Sequence, residues 1–232
     1  IRWYGILIGV AFLLAIYISY LRAPKFGIVQ DDILDLTIFL IPCSIIGARA
    51  YYVIFSYDNY RGNFIQMLNL RAGGLAIHGG IIAGVIVSYI VAKRKKIKFS
   101  NLADLIMPQV ALAQAIGRWG NFFNSEAHGG PTNLPWAITV YGEKVHPTFL
   151  YESIWCFFIF ILLIFLSNKI KFNGQIALLY AMLYSFERFW VEGLRTDSLM
   201  IGQFRQAQVL SLVVFILALS AYIYQVRKYK KK

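Results

Sequence analysis

Long apolar stretches dominate this chain, and its polar positions fall between them in short groups. Seven apolar runs of about 17–23 residues stand out, near 3–21, 33–55, 74–92, 102–119, 149–166, 174–191 and 206–226. A helix needs that length to cross a hydrocarbon core about 30 Å thick. A barrel strand would instead show strict alternation over roughly ten residues, and no such pattern occurs. Backbone polar groups find no water inside a bilayer, which leaves helices as the spanning structure. The pattern predicts an all-α polytopic membrane protein with seven transmembrane helices. It reads as a single transmembrane domain over 1–232, with extracytoplasmic loops near 56–73 and 120–148.

Composition agrees. Hydrophobic residues make up 59% of the 232 and charged ones 15%, against about 45–50% and 25% in soluble domains. A soluble enzyme, a secreted disulfide scaffold and a disordered chain are excluded. Cys43 and Cys156 lie inside apolar runs with no CxxC spacing, and read as small buried apolar side chains. The net charge of +12 comes from 23 basic and 11 acidic residues, and its placement matters more than its size. With the N-terminus outside, the inner connections hold Arg22 and Lys25, then Lys93, Arg94, Lys95, Lys96 and Lys98, then Lys169 and Lys171. The tail adds Arg227, Lys228, Lys230, Lys231 and Lys232, which brings the inner side to fourteen of the 23. The bias predicts an extracytoplasmic N-terminus and a cytoplasmic C-terminus. The first run is too long for a signal peptide and lacks a small-residue cleavage site, so it is expected to stay as a span.

Polar residues within the spans carry the chemistry. An arginine at mid-span costs about 2.5–3.5 kcal/mol on insertion scales, so Arg49, Arg118 and Arg188 all need partners. Arg49 is expected to pair with Asp35 or Asp58, or to snorkel to the interface. Arg118 opens a denser group, Gly117-Arg118-Trp119-Gly120-Asn121-Phe122-Phe123-Asn124-Ser125-Glu126. Arg118 and Asn121 share a helix face, while Gly129-Gly130-Pro131 ends the helix and leaves Asn124 and Glu126 on irregular backbone. One guanidinium, two amides and a carboxylate suit an anionic, hydroxyl-bearing group.

A second group runs from Glu187 to Asp197. Arg188, Glu192 and Arg195 fall at i, i+4 and i+7, one stripe of one helix, with Tyr184 a turn earlier. Two arginines sharing one carboxylate leave basic capacity unspent. The third element is Gly73-Gly74-Leu75-Ala76-Ile77-His78-Gly79-Gly80. Its paired glycines allow close approach of a helix or headgroup, and His78 has the side chain best suited to general-base work near neutral pH. The stretch His146-Pro147-Thr148-Phe149-Leu150-Tyr151-Glu152 opens the fifth span; it either positions that helix or belongs to the site. His128 reads as solvated. Metal-ligand spacing, GxSxG and GxGxxG are all missing, so neither a metal nor another cofactor is expected.

These motifs, in this order, resemble the prolipoprotein diacylglyceryl transferase family of bacterial inner-membrane enzymes. The stretch Gly117 to Gly129 follows that family's Gly-Arg-x-Gly-Asn-Phe-x-Asn-x-Glu-x-x-Gly pattern. The His78-Gly79-Gly80, His146–Glu152 and Arg188/Glu192/Arg195 elements match too, as does the opening Arg2-Trp3-Tyr4-Gly5. Trp119 and Ser125 depart from it, standing where the family often has a smaller aliphatic residue and a glycine. The resemblance implies a seven-helix fold in the bacterial cytoplasmic membrane, with phosphatidylglycerol and a prolipoprotein signal peptide bearing a lipobox cysteine as partners. It implies transfer of diacylglyceryl to the cysteine thiol, with release of glycerol phosphate.

That reaction needs a thiolate, in-line positioning, and stabilisation of the departing phosphate. Arg118 and Arg188 are the expected phosphate ligands. Asn121, Asn124 and Glu126 suit the headgroup hydroxyls, with Tyr4 and Tyr184 as further partners and His78 as the base. Gly129, Glu192, Arg195, His146 and Glu152 complete the expected substrate-binding set. An anionic-solute transporter and a non-catalytic lipid-binding protein are the rival readings, since intramembrane arginines also mark permeation paths.

Overall fold

A computed structural model describes residues 3–70 and 73–231. Arg2 of the opening motif and Lys232 of the basic tail lie outside the described residues. The long helices are α1 (Trp3–Arg22), α2 (Gln30–Phe55), α4 (Ile77–Arg94), α5 (Phe99–Phe123), α6 (Thr148–Leu166), α7 (Gln175–Leu194) and α8 (Gln206–Lys230); α3 (Phe64–Leu68) is a single turn between α2 and α4. Among the described residues, five stretches are long and apolar enough to cross a membrane: Tyr4–Phe26, Gln30–Phe55, Ile77–Arg94, Thr148–Leu166 and Gln206–Lys230. The protein is a mostly helical, multi-pass membrane protein. The two other long helices are the more polar, α5 with Asp104, Gln109, Gln114, Arg118 and Asn121, and α7 with Glu187, Arg188 and Glu192.

The chain divides into two compact units, Ile1–Ser19 with Ala103–Lys232, and Tyr20–Leu102. In the second unit α2 and α4 run antiparallel along a seam of small residues. A Cβ on Gly79 would lie 2.3 Å from the Gly47 carbonyl oxygen, and one on Gly84 would lie 3.2 Å from Ser44 Oγ. Such close backbone approach is how helices gain contact where lipid supplies no hydrophobic drive. Lys95, just past α4, ties back to α2 through Asp32 at 2.9 Å and Asp35 at 2.5 Å. Hydrogen bonds from Lys95 to those carboxylates hold its ammonium above the ordinary lysine range.

In the first unit, Ala111, Ile159, Leu163 and Ile176 form a buried core shared by α5, α6 and α7. Polar bonds fix the same packing. Ser153 Oγ donates to the Ala115 carbonyl at 2.8 Å, and Trp155 Nε1 to the Leu183 carbonyl at 3.0 Å. Asp104 of α5, 1% exposed, accepts the backbone N–H of Gly174 at 2.6 Å and of Ala177 at 2.9 Å. It serves as an N-cap supplied from another helix, filling orphan donors at the start of α7.

Two small hairpins punctuate the loops. β1 (Ile138–Val140) pairs antiparallel with β2 (Glu143–Val145), and β3 (Met200–Ile201) with β4 (Phe204–Arg205). Tyr141 and Gly142 turn the first at φ 49° and 89°, the double positive φ of a two-residue hairpin. The helices also outrun their apolar cores. α5 reaches Phe123 rather than ending near 119, and α7 reaches Leu194 rather than 191. Asn121 therefore sits on a helix, and the loop after α5 starts later than the hydropathy pattern predicts.

Candidate active site

The centre of the first unit is a carboxylate held by two guanidiniums from different helices. Glu152 is the fifth residue of α6 and is 1% exposed. Arg118 of α5 places Nε 3.0 Å from Glu152 Oε2, and Arg188 of α7 donates from Nη1 to Oε1 at 2.6 Å. Arg188 also meets Glu192, one turn on, with Nη2 2.6 Å from Oε2. Both ends of the Arg188 fork are thus engaged by acids. Arg118 is tied by its inner nitrogen, and its outer Nη2 reaches the Tyr184 hydroxyl only at 3.5 Å. Tyr184 stacks on Tyr180 at 5.7 Å, and the Tyr180 hydroxyl donates to Gln114 Oε1 at 2.9 Å.

Glu187 lies in the same cluster, coupled electrostatically to Glu152, Arg118 and Arg188. It is buried, and neither oxygen has a hydrogen-bond partner among the described residues. Two guanidiniums therefore face three carboxylates. Glu152 was expected from its motif and Glu187 opens the second sequence group, but the role of Glu152 as the bridge and the burial of Glu187 beside it were not anticipated. For Glu152, a lone acid in an apolar helix is the signal that points to the bridge.

Beside this core, the end of α5 folds back on itself. Glu126 Oε1 accepts from Asn121 Nδ2 at 3.1 Å and Asn124 Nδ2 at 3.2 Å, and its N–H donates to the Asn121 carbonyl. The turn needs two left-handed residues, Ser125 at φ 53° and Ala127 at φ 57°. Asn121, Glu126, His128 and Phe149 help line a cavity of about 190 Å³. His128 is half-buried, with Nδ1 3.1 Å from the Gly129 carbonyl oxygen, not simply solvated. The Tyr4 ring of α1 packs against Gly120 of α5, where a Cβ would fall 2.5 Å from it.

Gly129 is where three segments meet. Its N–H donates to the His146 carbonyl at 2.9 Å, and Gly130 N–H donates to the Leu194 carbonyl at 3.0 Å. A Cβ on Gly129 would lie 2.6 Å from His146 Cβ. His146 Nδ1 lies 3.3 Å from the Tyr151 hydroxyl, which accepts from Trp136 Nε1 at 2.8 Å. Trp119, the departure from the family pattern, donates from Nε1 to Ser153 Oγ at 3.1 Å and packs its ring on Phe149.

Arg195 corrects the expectation of a three-residue stripe. α7 ends at Leu194, and Arg195 is extended at φ −75°, ψ 147°. Its backbone forms an antiparallel bridge with Gly129 instead of continuing the helix to i+7. Arg195 instead grips Asp197 with two hydrogen bonds, Nε to Oδ1 at 2.9 Å and Nη2 to Oδ2 at 2.7 Å. Burial pushes the Asp197 carboxyl up, but the Arg195 bonds outweigh it and hold the group below the ordinary aspartate range. Arg205, which the sequence reading passed over, caps α7 by donating to the carbonyls of Glu192 and Arg195.

In the second unit Arg49 corrects a second expectation. It pairs with neither Asp35 nor Asp58. Buried to 4% exposure, it donates from Nε to the Met67 carbonyl at 2.8 Å, from Nη1 to Gly73 at 2.7 Å and Gly74 at 3.0 Å, and from Nη2 to Gln66 at 2.7 Å. The Tyr60 ring centroid lies 5.0 Å from its Cζ. Carbonyls of the turn before α4 are nearer than any acid, and several dipoles substitute for one counter-charge. His78 is the second residue of α4, exposed, with its ring 6.1 Å from that of Tyr51.

Comparison with known proteins decides what this arrangement belongs to. The family model for prolipoprotein diacylglyceryl transferase matches residues 1–224. The chain belongs to that family. A phosphatidylglycerol–prolipoprotein diacylglyceryl transferase of Clostridioides difficile strain 630 is 52% identical over 99% of this chain and 93% of its own length. One from Finegoldia magna is 52% identical over 100% and 92%, and one from Clostridium kluyveri 44% identical over 97% and 92%. Within the family's polar pattern, the structure brings Arg118, Glu152, Arg188 and Glu192 into one cluster and Asn121, Asn124 and Glu126 into another. It places Arg195 with Asp197 and His78 in the other unit.

Proposed function

We propose that this chain transfers the diacylglyceryl group of phosphatidylglycerol to the lipobox cysteine of a prolipoprotein signal peptide. The thiol loses its proton, and the sulfur attacks the glycerol carbon that bears the phosphate ester. A C–S bond forms, the C–O bond breaks, and its electron pair leaves with glycerol phosphate. The protein sits in the bacterial cytoplasmic membrane as one domain of seven spans, N-terminus outside, with loops 56–73 and 120–148 on the extracytoplasmic side. The basic connections and tail support that orientation.

The observation that carries the reading is the bridge Arg118–Glu152–Arg188, with guanidiniums from α5 and α7 drawn together by one buried acid. Glu152 tethers Arg118 through Nε and leaves the Nη edge to take a phosphate oxygen as charge develops on it. Arg188, held from both ends, contributes field more than contact. Asn121, Asn124 and Glu126 exchange their mutual hydrogen bonds for the headgroup hydroxyls, and Tyr4 and Tyr184 border that position. Gly129, His146, Glu192 and Arg195 shape the backbone and charge around it. His78 takes the thiol proton.

Purified protein supplied with phosphatidylglycerol and a lipobox thiol peptide is expected to make the thioether and free glycerol phosphate. A transporter or a passive lipid binder makes neither. Arg118→Ala is expected to abolish transfer while leaving membrane insertion intact; near wild-type activity overturns the phosphate role. His78→Gln keeps size and hydrogen bonding without basicity, and normal turnover from about pH 6 to 9 removes its role as base.

A further inference from the structure

The stretch from Tyr57 to Leu70 holds none of the residues assigned above to the transfer, yet it is tied down by specific hydrogen bonds. Asn63 caps α3 by accepting the Gln66 N–H at 3.0 Å. Arg49 then grips the carbonyls of Gln66 and Met67 within the segment and of Gly73 and Gly74 beyond it. A residue costly to bury is thus spent wholly on holding one surface turn in place.

The turn it holds faces the wrong way for water. Phe64 is 70% exposed, Ile65 82% and Leu68 64%. They lie between two membrane helices that end beside them, and the helix ends are equally apolar outward, with Phe55 and Ile77 exposed. The apolar surface therefore continues from α2 through α3 into α4, while Asp58, Asn59 and Arg61 supply the polar flank. An exposed apolar turn rimmed by polar side chains, at the mouth of two spans, has the character of an interfacial element. In water it would be an aggregation liability.

We propose that α3 is a membrane-interface anchor, with Phe64, Ile65 and Leu68 inserted at the boundary between headgroups and acyl chains and Arg49 fixing that depth. The occupant of this face is bilayer lipid. Continuity with the lipid-facing sides of α2 and α4 argues for lipid over a protein partner, since no break in the apolar surface separates them. The anchor is independent of the transfer reaction.

The unsubstituted protein, placed in phosphatidylglycerol-containing vesicles doped with a phospholipid whose diazirine sits near the glycerol end of its acyl chain, tests this directly. After illumination, mass spectrometry is expected to find adducts on 64–68; adducts confined to the long helices overturn the proposal. A spin label at Ile65→Cys, in a Cys43→Ala background, gives a second reading. Its oxygen-to-nickel accessibility ratio is expected to exceed that of a label at Asn59→Cys by about fivefold or more. Equal ratios overturn the anchor. So does a label that is water-exposed in vesicles and shielded only when a lipobox peptide is added, which assigns the face to the peptide.

Discussion

Arg118 Nε stands 3.0 Å from Glu152 Oε2, so the guanidinium is held by its inner nitrogen and its outer edge stays turned away from that acid. The same carboxylate accepts from Arg188 at 2.6 Å. On the proposed reading, Glu152 therefore positions the two guanidiniums rather than meeting the phosphate itself. Glu152→Gln keeps the volume but sets an amide donor against a guanidinium donor. Transfer is expected to fall about 10²–10³-fold, the range for losing one well-placed electrostatic contact. Glu152→Ala leaves two buried cations short of a partner and is expected to cost about 3–5 kcal/mol. Turnover and thermal unfolding in one detergent, measured for both variants, separate the positioning effect from the folding one.

Much of this was legible beforehand because lipid makes polar residues conspicuous. Arg118, Glu152 and Arg188 each interrupt an apolar run, and such residues must find one another. What hydropathy does not carry is which partner each finds. Arg49 settles on four carbonyls, because the chain after α3 folds back over it. Arg195 leaves its stripe, because α7 ends one residue earlier. Asp104 escaped attention altogether, since a helix cap supplied from 70 residues away has no local signature. The hairpin at 138–145 was equally hidden, being three-residue strands in a loop.

Ser125 sits at φ 53°, where the family often has glycine and where a side chain is strained. Placing an L-residue in the left-handed region costs about 1–2 kcal/mol, partly offset by the greater chain entropy glycine would lose. Ser125→Gly is expected to raise stability by up to about 1 kcal/mol and leave turnover unchanged. A lower unfolding midpoint in the variant would show that the hydroxyl, not the backbone, governs this turn.

Asp197 carries a pH dependence whose sign follows from its partner. Its carboxyl is held below the ordinary range by Arg195, so the contribution is present above the unfolded value of about 3.9 and is lost as pH falls through the lower folded value. Amide exchange in 195–205 is therefore expected to quicken only under strongly acid conditions. Asp197→Asn is expected to quicken it at neutral pH, and protection unchanged in that variant would show that Arg205 alone holds the segment.

Gly129 reads as a binding residue in the family pattern, but its surroundings are backbone. Its N–H meets the His146 carbonyl, its neighbour bonds Leu194, and a Cβ would come within 2.6 Å of His146 Cβ and 3.1 Å of the Leu194 oxygen. Neither contact lies at the end of a flexible side chain, so relief requires the start of α6 or the end of α7 to move. Gly129→Ala is expected to cost about 1–3 kcal/mol, the price of overpacking a tight site. Because Glu152 rides on α6 and Arg188 on α7, that movement also loosens their bridge. The expected result is a lower unfolding midpoint with turnover reduced and KM for phosphatidylglycerol little changed. A variant of normal stability with KM raised alone would instead make Gly129 a direct lipid contact.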